Sequence, residues 1–181
     1  NARQNYPLLE GQKANLYKCF LPLVWQVGCD VQALLHPEGV YDDPKGATLR
    51  AALYPRLRAH YQFVNELMLF AEVDHHAKFS INVYGGGQIK ANFRHVANLF
   101  APGTVAASLA HTGGGAIPGI KHDRGGWNTS GHASRVIEVD EGLLTTFTKL
   151  YDAPDTPHLQ ARLPAVHSRE LVSVLEKFAR S

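Results

Sequence analysis

His75 and His76 stand side by side, with Asp74 before them and Lys78 shortly after. Five positions thus offer two imidazoles, a carboxylate and an ammonium. Imidazole changes charge near neutral pH, ligates metals and presents a flat ring, so such a group suits proton transfer, metal binding or stacking. On an extended segment, neighbouring side chains point to opposite sides, and one metal seldom takes both. The eight other histidines show no helical ligand spacing, and Cys19 and Cys29 lie apart; His122 and His132, with Asp123 between, form only a loose cluster. No metal site is expected. A pocket wall for a flat ligand and a solvated loop both remain open for the pair.

Two other places carry chemistry. Glu38 follows His36-Pro37 at the end of a predicted strand, where open α/β sheets place ligands; a surface-turn carboxylate is the alternative. The glycine-rich stretch 111–135 holds Lys121, Arg124, Trp127 and Arg135. Glycine lets backbone come close to a phosphate, and cations with an aromatic suit a nucleic-acid strand. Trp127 could equally fill a gap in the core. The run "GGGAIPGIK" lacks the spacing of a phosphate-binding P-loop.

Periodicity supplies the helices and strands that carry these residues. Leu16, Phe20, Leu23, Val24 and Val27 make one helical stripe, read as a buried face, with Pro22 expected to kink or split the helix and Gly28 to end it. A short strand is expected over 31–35. Asp43 and Pro44 open a helix whose face is Leu49, Ala52 and Leu53. Residues 60–67 and 78–84 alternate as strands, the second with Phe79, Ile81 and Val83 on one side and Ser80, Asn82 and Tyr84 on the other. Glycines 85–87 mark a boundary, and 92–100 fits strand or helix. A strand over 135–139 precedes a helix capped by Asp140. A final helix, capped by Ser168, should bury Leu171, Val174, Leu175 and Phe178.

Composition sets the frame. The chain has 181 residues, 45% of them hydrophobic and 19% charged, enough for a sizeable core. A net charge of +2 gives no global pull toward polyanions or acidic lipid, so any such site is local. Two cysteines point to a reducing, cytoplasmic setting, and no apolar run is long enough to span a membrane. The chain opens on Asn-Ala, and its single methionine is Met68, so it reads as an internal fragment.

In order and spacing, "NLYKCFLPLVW" (15–25), "ALLHPEGVY" (33–41), Leu49-Arg50 with Leu53, and "LFAEVDHHAKFSINVY" (69–84) resemble the region after the catalytic Asn-Pro-Pro-aromatic tetrapeptide of N6-adenine DNA methyltransferases. "HTGGGAIPGIK" and "ARLPAVHSREL" are similar to the more C-terminal region of large fused restriction–modification enzymes. The resemblance implies an α/β fold: the second half of a Rossmann-like methyltransferase sheet with an antiparallel last strand over residues 1–87, then an α+β extension over 88–181. It implies S-adenosylmethionine as cofactor of the intact enzyme, DNA as partner, and a base pocket near Asp74, His75, His76, Lys78 and Glu38. DNA contacts would fall to Lys121, Arg124, Trp127 and Arg135. The tetrapeptide and the glycine-rich cofactor turn are both missing from this sequence. The fragment alone is therefore expected to bind no cofactor and to be inactive without the missing N-terminal part. Its open sheet edge invites a homodimer. A stand-alone nucleic-acid-binding or interaction module fits the same residues.

Overall fold

The computed structural model describes residues 5–13, 15–27 and 30–180. The positions of Gly28, expected to stop the first helix, and Cys29 lie outside the described residues. The chain builds a mixed α/β structure around one five-stranded sheet. Its strands are β1 (Val31–Pro37), β2 (Leu57–Val64), β3 (Lys78–Gly85), β4 (Asn92–Leu99) and β5 (Ile137–Asp140), in spatial order β1-β3-β2-β4-β5. β2 and β4 are parallel, while β3 runs antiparallel to both β1 and β2, and β5 antiparallel to β4. β1, β2 and β4 therefore point the same way, with β3 inserted against them. The sheet runs across the boundary expected at 85–87, because β4 joins β2 edge to edge.

The helices are α1 (Leu16–Trp25), α2 (Gly39–Asp42), α3 (Ala47–Leu53), α4 (Gly103–Ala110), α5 (Glu141–Tyr151) and α6 (Arg169–Phe178). None is long and apolar enough to cross a membrane among the described residues. Two of three expected caps form as hydrogen bonds: Asp43 accepts from the Lys45 N–H and Asp140 from the Leu143 N–H, whereas the Ser168 side chain makes no cap bond. α1 runs unbroken through Pro22, so the expected split does not occur.

The core divides between the faces of the sheet. One cluster joins Leu49 and Leu53 of α3, Leu143, Leu144 and Phe147 of α5, and the sheet residues Tyr84 and Phe93. A smaller one gathers Phe63, Phe79, Val96, Leu99 and Val136, with Val105 of α4 against it.

Two expectations about faces are corrected, and the buried side of β3 is found. α1 buries Leu21 and half-buries Tyr17 and Val24, leaving the predicted stripe of Leu16, Phe20, Leu23 and Val27 exposed. α6 buries none of its apolar residues completely. In β3 the polar side, Ser80, Asn82 and Tyr84, is the fully buried one, whereas Ile81 and Val83 are half-exposed. Burial of Ser80 and Asn82 requires hydrogen-bond partners, and these define the site below.

Gly131 closes the long loop against α4. A Cβ there would sit 2.5 Å from both the Ala107 carbonyl carbon and the Ser108 nitrogen, which is backbone and cannot swing aside. Gly131→Ala should therefore cost about 1–3 kcal/mol through overpacking. A urea midpoint equal to that of the unsubstituted chain would show that the loop does not pack there.

Candidate functional site

Because β1, β2 and β4 are parallel, their carboxyl ends lie on one side of the sheet, and three connections leave from there. The turn 38–43 follows β1. The loop 65–77 joins β2 to β3. β4 leads through Phe100 to α4 and the long loop. Backbone bonds pin these ends together: Glu38 N–H donates to the Lys78 carbonyl at 3.3 Å, and Asn65 N–H to the Ala77 carbonyl at 3.0 Å. Candidate residues far apart in sequence thus share one end of the sheet, the end where open α/β sheets bind ligands.

Glu38 is not a surface-turn carboxylate. Its side chain turns inward, and Oε1 accepts from His60 Nε2 at 3.0 Å. His60 Nδ1 meets His95 Nδ1 at 2.8 Å, and the two rings, 1% exposed, stack at 5.0 Å. One proton must lie between those nitrogens, and which ring donates it depends on the tautomers of His60 and His95. Burial alone would raise the Glu38 carboxyl; the charge and hydrogen bond of His60, with a hydrogen bond from Ser80, outweigh it and hold the group below its ordinary range. Burial, reinforced by His60, pushes His95 well below its ordinary value of 6.5. The Pro164 carbonyl partly offsets this, although His95 Nε2 makes no full hydrogen bond.

A second buried set is woven through the first. Tyr41 of α2 donates to Asn82 Oδ1 and lays its ring 4.3 Å from that of His60. Asn82 Nδ2 donates to Ser80 Oγ at 2.8 Å. His36 bonds the Tyr84 hydroxyl at 3.1 Å and stacks on Tyr17 of α1. Arg50, 1% exposed, donates to the carbonyls of Val40, Asp43 and Gln160 and so fixes the turn from behind. Outside the turn is an open concavity of about 390 Å³ lined by residues that include Tyr17, Lys18, Pro37, Gly39 and Asp43.

The loop 65–77 is organised by Asn65, which is fully buried. Its Nδ2 donates to the carbonyls of Phe70 and Val73 at 2.9 Å, and its Oδ1 accepts from the Phe70 N–H at 3.0 Å. Asp74, His75, His76 and Lys78 are all exposed. The segment is a turn rather than extended, so the histidine rings lie on the same side, 3.7 Å between centroids. Asp74 accepts from the His76 N–H at 2.7 Å, which holds its carboxyl below the ordinary range. One ligand atom from each of the three side chains lies within 4.8 Å of the others, close enough for a metal geometrically, and all three residues are exposed. The same loop presents Phe70, 40% exposed and edge-on to Phe79 at 5.0 Å. Sequence reasoning missed Phe70 as a candidate; its place within five residues of the histidine pair was the available signal.

In the long loop, Lys121 and Arg124 are exposed and Trp127 is half-buried. Lys121 Nζ sits 4.4 Å over the Trp127 ring, which stacks in turn on Phe100 at 4.5 Å. Trp127 therefore fills a gap and supports a cation at once. Arg135 is different. It is fully buried and donates to the carbonyls of Ser130, Ala97 and Asn98, so it ties the loop to β4 and cannot reach a DNA backbone.

The stability of this arrangement must depend on pH. His36 and His167, like His95, are held below 6.5 chiefly by burial. Below that value the unfolded chain binds protons that the folded chain refuses, so stability falls as the medium is acidified. Each histidine held fully neutral contributes up to about 1.4 kcal/mol per pH unit. Protonation of Glu38, whose folded-state value is depressed, adds a further loss at lower pH. Urea midpoints should fall steadily from pH 7.5 to 5; a flat profile would mean that these histidines are not neutral in the fold. Asn65→Ala should cost about 1–3 kcal/mol and speed hydrogen exchange at the Phe70 amide, since the buried amide's bonds to the loop are lost together. Unchanged exchange would remove Asn65 as the organiser of the loop.

No protein-family model and no curated protein sequence matches the chain.

Proposed function

We propose that the chain is the C-terminal part of the catalytic domain, with the region after it, of an S-adenosylmethionine-dependent N6-adenine DNA methyltransferase of a restriction–modification system. The observation that carries this reading is topological. Strands β1 and β2 are parallel, the antiparallel hairpin partner β3 is inserted between them, and the loop 65–77 joins β2 to β3 at the carboxyl ends. An antiparallel last strand with a ligand-facing loop before it is the arrangement the resemblance calls for.

The roles divide by rigidity. The turn 38–43, locked by Glu38–His60 and Arg50, is a fixed floor for the cleft at the end of β1. The loop 65–77 is the wall of a base pocket, where a base taken out of the stack is held by ring contacts and by polar contacts at its edge. Phe70, His75 and His76 supply exposed rings, and Asp74 and Lys78 supply polar groups. Lys121 over Trp127, with Arg124 beside them in sequence, contacts the DNA strand. The cofactor supplies the methyl group and is bound by the part of the enzyme that carries the glycine-rich turn and the tetrapeptide. This chain alone transfers none.

The decisive assay is methyl transfer to adenine by the chain assembled with the polypeptide encoded upstream of it. Replacing His75 and His76 with alanine together should lower the rate about ten- to hundredfold, the scale of one lost base–aromatic stack, and Phe70→Ala should act similarly. Full activity in both variants would sink the base-pocket role. Lys121→Ala should instead weaken DNA binding on all sequences and reduce its salt dependence by about one unit of slope.

A nucleic-acid-binding module without catalysis is favoured by one feature, the exposed cation held over a tryptophan in the 121–127 hairpin. DNA affinity of the chain alone, equal to that of the assembled enzyme, would select it.

A further inference from the structure

On an extended segment His75 and His76 would point to opposite sides, and one metal would seldom take both. The fold removes that obstacle. Residues 74–77 form a closed turn, in which the Ala77 N–H donates to the Asp74 carbonyl at 2.9 Å. Asn65, fully buried just past the end of β2, donates to the same carbonyl at 3.3 Å and ties the turn to the sheet. The two imidazoles therefore lie on one side, with ring centroids 3.7 Å apart.

The donor atoms are spaced for one ion. Asp74 Oδ1 lies 3.4 Å from His76 Nδ1. Two donors that sit about 2.0–2.1 Å from a tetrahedral ion lie about 3.4 Å from each other, so this pair already spans one edge of such a site. With His75 included, one donor from each side chain falls within 4.8 Å of the others. Drawing in the widest pair needs only rotation about side-chain bonds, because all three residues are exposed. Among the described residues, no other group of three histidine, cysteine, aspartate or glutamate side chains meets that geometry.

We propose that Asp74, His75 and His76 bind one divalent transition-metal ion, with zinc as the representative case. Two imidazoles and one carboxylate suit zinc, nickel and copper, and disfavour magnesium and calcium, whose sites are built from oxygen. Three protein donors leave a position to solvent, so the ion is exchangeable and open to a further ligand, unlike a sealed structural zinc. The donors come from consecutive residues of a turn that is already formed, so binding orders little besides three side chains. The site stands on these residues alone. Only one consequence rests on the methyltransferase reading: the ion and a flat base draw on the same two rings, so each excludes the other.

The test is calorimetric titration of the chain, freed of metal by a chelator, with zinc chloride and then with magnesium chloride, followed by amide hydrogen exchange with and without zinc. A single zinc ion per chain, no magnesium, and slower exchange confined to the turn 74–77 and its neighbours are expected. Outer-shell partners alone are worth about 10–100-fold in metal affinity, so losing a ligand in Asp74→Ala, His75→Ala or His76→Ala should weaken zinc binding at least about tenfold. His122→Ala, in the long loop, should leave it unchanged, and so should removal of both thiols by Cys19→Ser with Cys29→Ser. The three ligands are exposed, so the fold should survive each substitution, and circular dichroism checks that it does. Zinc binding that persists when His75 and His76 are both alanine would place the ion elsewhere and overturn the proposal. So would no zinc binding at all, or magnesium binding as tightly. Zinc binding that leaves methyl transfer by the assembled enzyme untouched would keep the metal site and remove the pocket wall instead.

Discussion

The carboxyl ends of the parallel strands are held by a chain of buried polar groups, and everything proposed for this end of the molecule depends on that chain staying satisfied. Glu38, His60 and His95 come from three separate segments yet touch in series. Burying a carboxylate without a partner would cost several kcal/mol; paired with His60 and bonded by Ser80, it instead selects one arrangement of the strand ends. Tyr41 and Asn82 make the same kind of demand on α2 and β3. An apolar core would tolerate small slips between these elements. A polar one does not, since each slip strands a donor or an acceptor. This end of the sheet is therefore specified more sharply than hydrophobic packing alone could specify it.

That chain was not legible in the sequence. His60 and His95 lie in different strands and Glu38 follows a third, and no local spacing joins them. Strand alternation found β3 but did not say which side is buried, since Tyr41 and Glu38, the partners of Asn82 and Ser80, are remote in sequence. Glu38 was found by position, at the end of a strand before a turn, but its inward rotamer depends on His60, more than twenty residues away. Arg135 was misread for a related reason. A basic residue in a glycine-rich loop looks available to phosphate, and only the fold supplies the three carbonyls that claim it. By contrast, Asp43 and Asp140 were legible as caps, because a cap acts within three residues.

The misread face of α1 has a different cause. Its period was right and its helix was found, but the stripe of Leu16, Phe20, Leu23 and Val27 lies outside the core of this chain. Helical periodicity marks an apolar stripe but does not say which face of the helix the core covers. The same tension sits in β1, where an uncharged strand of seven residues stands at an edge. Two independent elements thus carry the same mismatch at the same place, while the β5 edge carries none.

The turn 38–43 and the loop 65–77 are tied to the sheet in different ways. The turn 38–43 is bonded from behind by Arg50 and from the side by Tyr41, so it can hold position against a ligand. The loop 65–77 hangs chiefly on one side chain, Asn65, with its rings and charges facing solvent. The loop also packs on the sheet through Phe70, edge-on to Phe79 of β3. Binding that presses Phe70 or the histidines against a flat ligand would then be felt first at Asn65. The histidine pair is best understood in that setting: its position matters through the loop that carries it, and the loop through the amide that ties it to the end of β2.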